Sequence, residues 1–109
     1  MYSPIDTVPI IGYTLFVDIY EVDISKSAVK ELKKVPSTIV DKLQSWVEAV
    51  ELRGLREVRK LPSFHDEPLK GKRKGQRSIR LNKAYRAIYT IKKDTIEFVL
   101  IEEVNKHDY

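Results

Sequence analysis

Cysteine is missing from all 109 residues. The chain therefore holds no disulfide framework, no thiolate zinc site and no cysteine nucleophile, and a reducing cytoplasm is the expected setting. Histidine is scarce as well, with only His65 and His107. Two imidazoles with no paired carboxylate–histidine spacing give no basis for a metal centre, so neither a metal nor a cofactor is expected. Long apolar runs are also lacking. The patch Val8–Val17 falls well short of the ~20 apolar residues a membrane helix needs. It follows no basic segment and is flanked by Asp6 and Asp18, so neither export nor membrane anchoring is expected. No internal repeat or low-complexity linker is present. Composition suits a single globular domain over residues 19–109, preceded by an extension over residues 1–18.

The most informative absence is that of acid. From Lys70 to Lys93 the chain carries ten Lys and Arg and no Asp or Glu. Over Arg53–Lys93 fourteen basic side chains face only Glu57, Asp66 and Glu67, a net +11, while the remainder of the chain is −7. The formal +4 hides a polarised molecule. Asymmetry on this scale steers polyanions toward the basic part, and nucleic acid is the natural partner. A Lys/Arg run is commonly just a solvated face. Here it shares its positions with strand-like alternation and with His65, Glu67, Tyr85 and Arg86.

Leu15–Ile24 alternates as a strand and ends at Ser25, a residue suited to cap a helix over Lys26–Lys34. Pro36 breaks that helix. Ser37 is then expected to cap a second helix, Thr38–Arg53, in which Ile39, Val40, Leu43, Trp46, Val47 and Val50 recur with the 3.6-residue period. Trp46 reads as core, not as a stacking platform. Gly54 suits the position just beyond the helix. Leu55–Lys74 reads as an irregular basic connector, of a length that in a small domain is usually functional. Three strands follow, Gln76–Leu81, Tyr85–Ile91 and Thr95–Val104, joined by short turns. The order is β-α-α-β-β-β, an α+β fold with a helical hairpin packed on one face of a mostly antiparallel sheet. In the second strand of the meander Arg86, Ile88 and Thr90 point away from Tyr85, Ala87, Tyr89 and Ile91. The Arg86 face is predicted to be unpacked and to offer polyanions a basic surface.

Which groups there move a proton? His65 and Glu67 stand in the connector, and His107, Asp108 and Tyr109 close the sequence. RNA is cut without metal when its own 2′-OH attacks the adjacent phosphate, given a base for that hydroxyl, a cation for the phosphoryl oxygens and an acid for the leaving 5′-oxygen. Glu67 suits the base, Arg86 the cation and His107 the acid, since an ordinary histidine titrates near ~6.5.

HDEPLKG, GQRSIRLN, YRAIY and the terminal KHDY, in this order and spacing, resemble the RelE/ParE superfamily of bacterial toxins, and in particular its YoeB-like and HigB-like members. The resemblance spans about Ile19–Tyr109 and includes VDISKSAVKELKKVP. It implies a fold like that of small microbial ribonucleases and a metal-independent endoribonuclease, the toxin of a type II toxin–antitoxin system, which cuts mRNA in the ribosomal A site of the 30S subunit. It implies a cognate antitoxin as partner, a cytoplasmic location, no membrane, and contact with DNA only through the toxin–antitoxin complex. The YoeB-like pattern puts its acidic residue at Glu67, its strand arginine at Arg86 and its C-terminal pair at His107 and Tyr109. In related members a histidine takes the acidic position, which leaves the base open between His65 and Glu67. Lys70, Lys72, Arg73, Lys74, Arg77 and Arg80 are implied to grip RNA phosphates, with Tyr85 or Tyr109 stacking on a base. Asp108 separates His107 from Tyr109, which are adjacent in the YoeB-like pattern. Two other readings compete: a ParE-like inhibitor of DNA gyrase, and a non-catalytic nucleic-acid-binding module.

Overall fold

The computed structural model describes residues 18–104. Five strands form one sheet in the order β1-β5-β4-β3-β2, with β1 at Glu21–Ile24, β2 at Glu67–Pro68, β3 at Gln76–Arg80, β4 at Tyr85–Ile91 and β5 at Thr95–Glu103. β1 runs parallel to β5, with Glu21 opposite Thr95 and Ile24 opposite Phe98, and every other pairing is antiparallel. The expected α+β architecture is thus present, with a two-residue strand added at one edge.

Between β1 and β2 lie α1 (Lys26–Leu32), α2 (Ser37–Arg53) and a single turn, α3 (Leu55–Val58). Ser25 caps α1, its hydroxyl accepting from the Ala28 amide at 3.1 Å. Ser37 does not cap α2 as its type suggested. Pro36 stands at the cap with no side-chain bond, and its carbonyl accepts the Ile39 amide at 2.9 Å. Proline's fixed φ leads straight into the first turn and leaves Ser37 inside the helix.

The 3.6-residue stripe of α2 makes the core. Ile39, Leu43, Trp46 and Val50 are buried against Ile79, Ala87, Tyr89, Ile96, Phe98 and Ile101 of the sheet. Val40 and Val47, at the margins of the stripe, are half-buried. Trp46, Tyr89 and Phe98 pack as a triangle with ring centroids 5.2, 5.2 and 5.5 Å apart and tilted or edge-on geometries. Trp46 is core, as its position in the stripe implied. Its indole N–H finds no acceptor among the described residues, and such an orphan donor costs about 1–3 kcal/mol, to be set against the roughly 3–5 kcal/mol lost when a buried tryptophan is truncated.

A β-bulge keeps β5 in the core. Tyr89 pairs with Phe98 but Ile88 pairs with Leu100, so Val99 is the extra residue. The inward positions therefore run Ile96, Phe98, Ile101, with the parity of the strand changed once. Beyond the end of β1 the open edge of β5 is satisfied from α1, where Glu31 accepts the Ile101 amide at 2.8 Å.

Two sequence expectations need correction here. β1 begins at Glu21, and the part of the expected strand before Asp18 lies outside the described residues. Asp18 and Ile19 instead serve α3: Asp18 Oδ1 accepts the Arg56 amide at 3.0 Å and the Ile19 carbonyl accepts the Leu55 amide at 2.9 Å. Gly54 permits this, turning at φ 89° with the Asp18 carboxylate lying where a Cβ would project. The connector Leu55–Lys74 is not irregular either. It holds α3, 3-10 turns at Pro62–Phe64 and Gly71–Arg73, and β2. Leu55, Val58 and Phe64 pin it to the core, but each element is too short to show a period in sequence.

Candidate nucleic-acid interface

β2 and β3 bring two sides of the connector to two sides of the sheet. His65 follows the Pro62–Phe64 turn in the left-handed conformation, φ 49° and ψ 51°, a backbone state uncommon for a residue with a Cβ. Phe64 is buried beside it with Lys42 Nζ 4.5 Å from its ring centroid. Glu67 pairs with Ser78 in the sheet. His65 Nε2 thus stands 3.9 Å from Glu67 Oε1, both side chains about half exposed. Asp66, between them, turns inward.

His65 and Glu67 line a cleft of about 180 Å³ with Ser78, Arg80, Asn82, Lys83, Tyr85, Arg86 and Val104. Arg80 and Arg86 face each other directly across β3 and β4. Like charges at opposed positions repel. Glu102, opposite Arg86 on β5, offsets this: Nε and one Nη of Arg86 both donate to Glu102 Oε2. The arrangement occupies the side of the Arg86 guanidinium and leaves its other Nη donors for an anion. Asn82 shapes the floor of the turn, accepting the amides of Ala84 and Tyr85 at 2.7 and 2.8 Å. Tyr85 is half-buried against the core and shows its remainder to the cleft. The Arg86 face is not bare along its whole length, since Ile88, between Ser78 and Leu100, is fully buried.

Asp66 has a different task. Its wholly buried carboxylate accepts from Arg77 Nε at 2.7 Å and from the Tyr89 hydroxyl at 2.7 Å. Burial, with Asp66 beside it, pushes the Tyr89 hydroxyl far above the ordinary tyrosine range. Burial alone would lower Arg77, but the Asp66 hydrogen bond and charge outweigh it and hold the guanidinium above its ordinary value. Arg77 therefore stands apart from Arg80 and Arg86, on the helix side of the strand.

Of the residues singled out from sequence, the cleft gathers His65, Glu67, Arg80, Tyr85 and Arg86. Lys70, Lys72, Arg73 and Lys74 stand on the β2–β3 hairpin, off the cleft lining, with Arg73 donating to Gln76 at 2.8 Å. His107 and Tyr109 lie outside the described residues. Sequence reasoning missed Glu102 and Asp66. A register between β4 and β5 would have flagged Glu102, and the alternation His-Asp-Glu entering an edge strand hinted that Asp66 faces inward. Among the described residues no group of three or more potential ligands could hold a metal ion, and no helix is long and apolar enough to cross a membrane.

The fold is shared with RelE-like toxins. Similar structures include YafQ from E. coli strain BL21(DE3) (17% identity, 77% of this chain and 92% of that one, TM-score 0.63). The archaeal RelE–RelB complex from Pyrococcus horikoshii OT3 matches at 23% identity, covering 80% and 97% of the two chains with TM-score 0.62. The YoeB dimer from Staphylococcus aureus matches at 19%, covering 79% and 97% with TM-score 0.58. Curated protein sequences give no match. The family model described as "ParE toxin of type II toxin-antitoxin system, parDE" matches residues 22–107, so the chain belongs to the ParE toxin family, within the RelE/ParE superfamily.

Proposed function

We propose that this toxin is a metal-independent endoribonuclease that cuts mRNA in the ribosomal A site and is held inactive by a cognate antitoxin. The observation that carries the reading is the cleft in which His65 and Glu67, 3.9 Å apart, face the opposed pair Arg80 and Arg86. A phosphodiester seated on the two guanidinium groups brings its ribose within reach of the carboxylate and imidazole. Glu67 or His65 takes the proton of the 2′-OH as its oxygen attacks phosphorus. Arg86 and Arg80 stabilise the charge that builds on the phosphoryl oxygens. The P–O5′ bond breaks, His107 supplies the proton to the departing 5′-oxygen, and a 2′,3′-cyclic phosphate and a 5′-hydroxyl remain. Tyr85 or Tyr109 stacks on the splayed base.

Translation of a defined message by purified ribosomes, followed by primer extension, tests this with wild type beside Arg86→Ala and His107→Ala. Breaks inside A-site codons that vanish in both variants are expected. An intact message sinks the nuclease. The second reading, inhibition of DNA gyrase, is favoured by the ParE family match itself. It expects loss of gyrase supercoiling with purified protein, indifferent to His107→Ala.

A further inference from the structure

Beside Arg80 and Arg86 the cleft is lined by a third cation, Lys83, which has no part in the steps proposed above. Its side chain is exposed and makes no ion pair or hydrogen bond among the described residues, whereas Arg86 is held by Glu102. The turn that carries Lys83 is well tied. Asn82 Oδ1 accepts the Ala84 and Tyr85 amides, the Leu81 amide donates to the Tyr85 carbonyl at 2.9 Å, and the Val104 amide donates to the Ala84 carbonyl at 2.6 Å. Lys83 therefore stands on backbone joined to β3, β4 and the end of β5.

The order of groups along β3 gives an RNA strand a direction. Glu67 pairs with Ser78 at one end of the cleft. Arg80, facing Arg86, comes two residues later, about 7 Å along a strand. The turn with Lys83, flanked by Tyr85 and Val104, forms the other end. In cleavage through the 2′-OH, the ribose that supplies the hydroxyl lies on the 5′ side of the scissile phosphate. The departing 5′-oxygen belongs to the nucleotide on its 3′ side. His65 and Glu67 act on the first of these, so the second is directed past the arginine pair and toward the turn.

We propose that Lys83 binds the phosphate next 3′ to the scissile one, which makes the turn end of the cleft a subsite for the nucleotide that carries the leaving oxygen. The assignment rests on the ribonuclease reading. Tyr85 and Val104 offer that nucleotide an apolar surface between the two phosphates. An ammonium on a flexible stem suits a phosphate whose charge does not change in the reaction, while the planar forks of Arg80 and Arg86 serve the one where charge builds. Val104 also precedes His107 by three residues, at most about 10 Å of chain, so the group assigned to the leaving oxygen is tethered to the same end of the cleft.

The test is a double-mutant cycle between protein and message on purified ribosomes. Each message carries one neutral methylphosphonate, either at the phosphate next 3′ to the cleaved bond or at the one next 5′. Single-turnover cleavage at subsaturating toxin is followed for wild type, Lys83→Ala and Lys83→Arg. Ribosomal contacts to either phosphate are common to the three proteins and cancel. On unmodified message, Lys83→Ala is expected to cut about 5- to 10-fold more slowly and Lys83→Arg within about twofold of wild type. The 3′ methylphosphonate should slow wild type by a similar factor and Lys83→Ala no further, while the 5′ methylphosphonate affects both alike. Equal effects of the 3′ substitution on wild type and Lys83→Ala, on a message that is cut, overturn the subsite alone. Coupling of Lys83 to the 5′ phosphate instead overturns the strand direction and the assignment with it. Wild type that leaves the unmodified message intact sinks the ribonuclease reading and the subsite together. Should Lys83→Ala unfold by circular dichroism, Lys83→Gln replaces it with the same criteria.

Discussion

The Tyr89 hydroxyl donates to the buried carboxylate of Asp66 at 2.7 Å, tying the centre of the sheet to the connector that carries His65 and Glu67. The same carboxylate holds Arg77. One inward-facing acid thus anchors the segment whose two neighbours look into the cleft, and stability and site geometry share a residue.

Tyr89 makes folding sensitive to alkali. Burial first, then Asp66, raise its hydroxyl above the ordinary value, so the neutral form is favoured in the folded state. Its contribution is complete below the unfolded tyrosine value of about 10 and declines as pH rises above it. Urea midpoints at neutral pH and near pH 11 are expected to fall further for wild type than for Tyr89→Phe. At neutral pH the variant loses about 1 kcal/mol. Equal decline in the two proteins would refute the assignment.

Asp66→Ala strands a guanidinium whose side chain is only 17% exposed. We expect a loss of about 3 kcal/mol by urea denaturation, against under about 1 kcal/mol for Glu57→Ala in its exposed pair. Comparable losses would show that the Asp66 contact contributes no more than a surface ion pair.

Glu102 fixes the direction of Arg86. Glu102→Ala is expected to lower single-turnover RNA cleavage by about 10- to 100-fold while leaving RNA binding within about twofold, since small misplacements of a clamp act on rate. Arg86→Lys is not expected to restore activity, because an ammonium lacks the planar fork. A faster Glu102→Ala protein would mean that the carboxylate restrains Arg86.

Gly54→Ala forces a Cβ against the Asp18 carboxylate at φ 89°. Thermal unfolding should report a loss of about 1–3 kcal/mol. Asp18→Ala alone removes the acceptor of the Arg56 amide and costs about 1 kcal/mol. The double variant should lose less than the two single losses added, because the carboxylate that clashes is also the one that caps. Full additivity would place the strain in the backbone alone.

Local pattern made α2 legible, because a helix buries one stripe and its 3.6-residue period is written in Ile39, Leu43, Trp46 and Val50. Alternation and turn residues did the same for β3, β4 and β5. The concentration of cations after Arg53, and the candidates His65, Glu67, Arg80, Tyr85 and Arg86, were likewise visible, since charge and side-chain chemistry belong to each residue alone.

Pairing between distant residues was not visible. Which arginine meets the cleft and which the helix side depends on β3 register, and Arg77 differs from Arg80 only by the parity that pairing imposes. Glu102 joins Arg86 because β5 lies beside β4, and the Val99 bulge changes which of its residues face the core. Asp18 caps α3 from 38 positions away, a contact no local signal encodes. Periodicity and residue type along the chain were enough for α2, β3, β4 and β5 and for the chemistry of each side chain, while elements as short as α3 and β2 left no such signal. Only the tertiary structure decided the partners, because hydrogen bonds and ion pairs between strands depend on register and proximity that neighbouring residues in the chain do not specify.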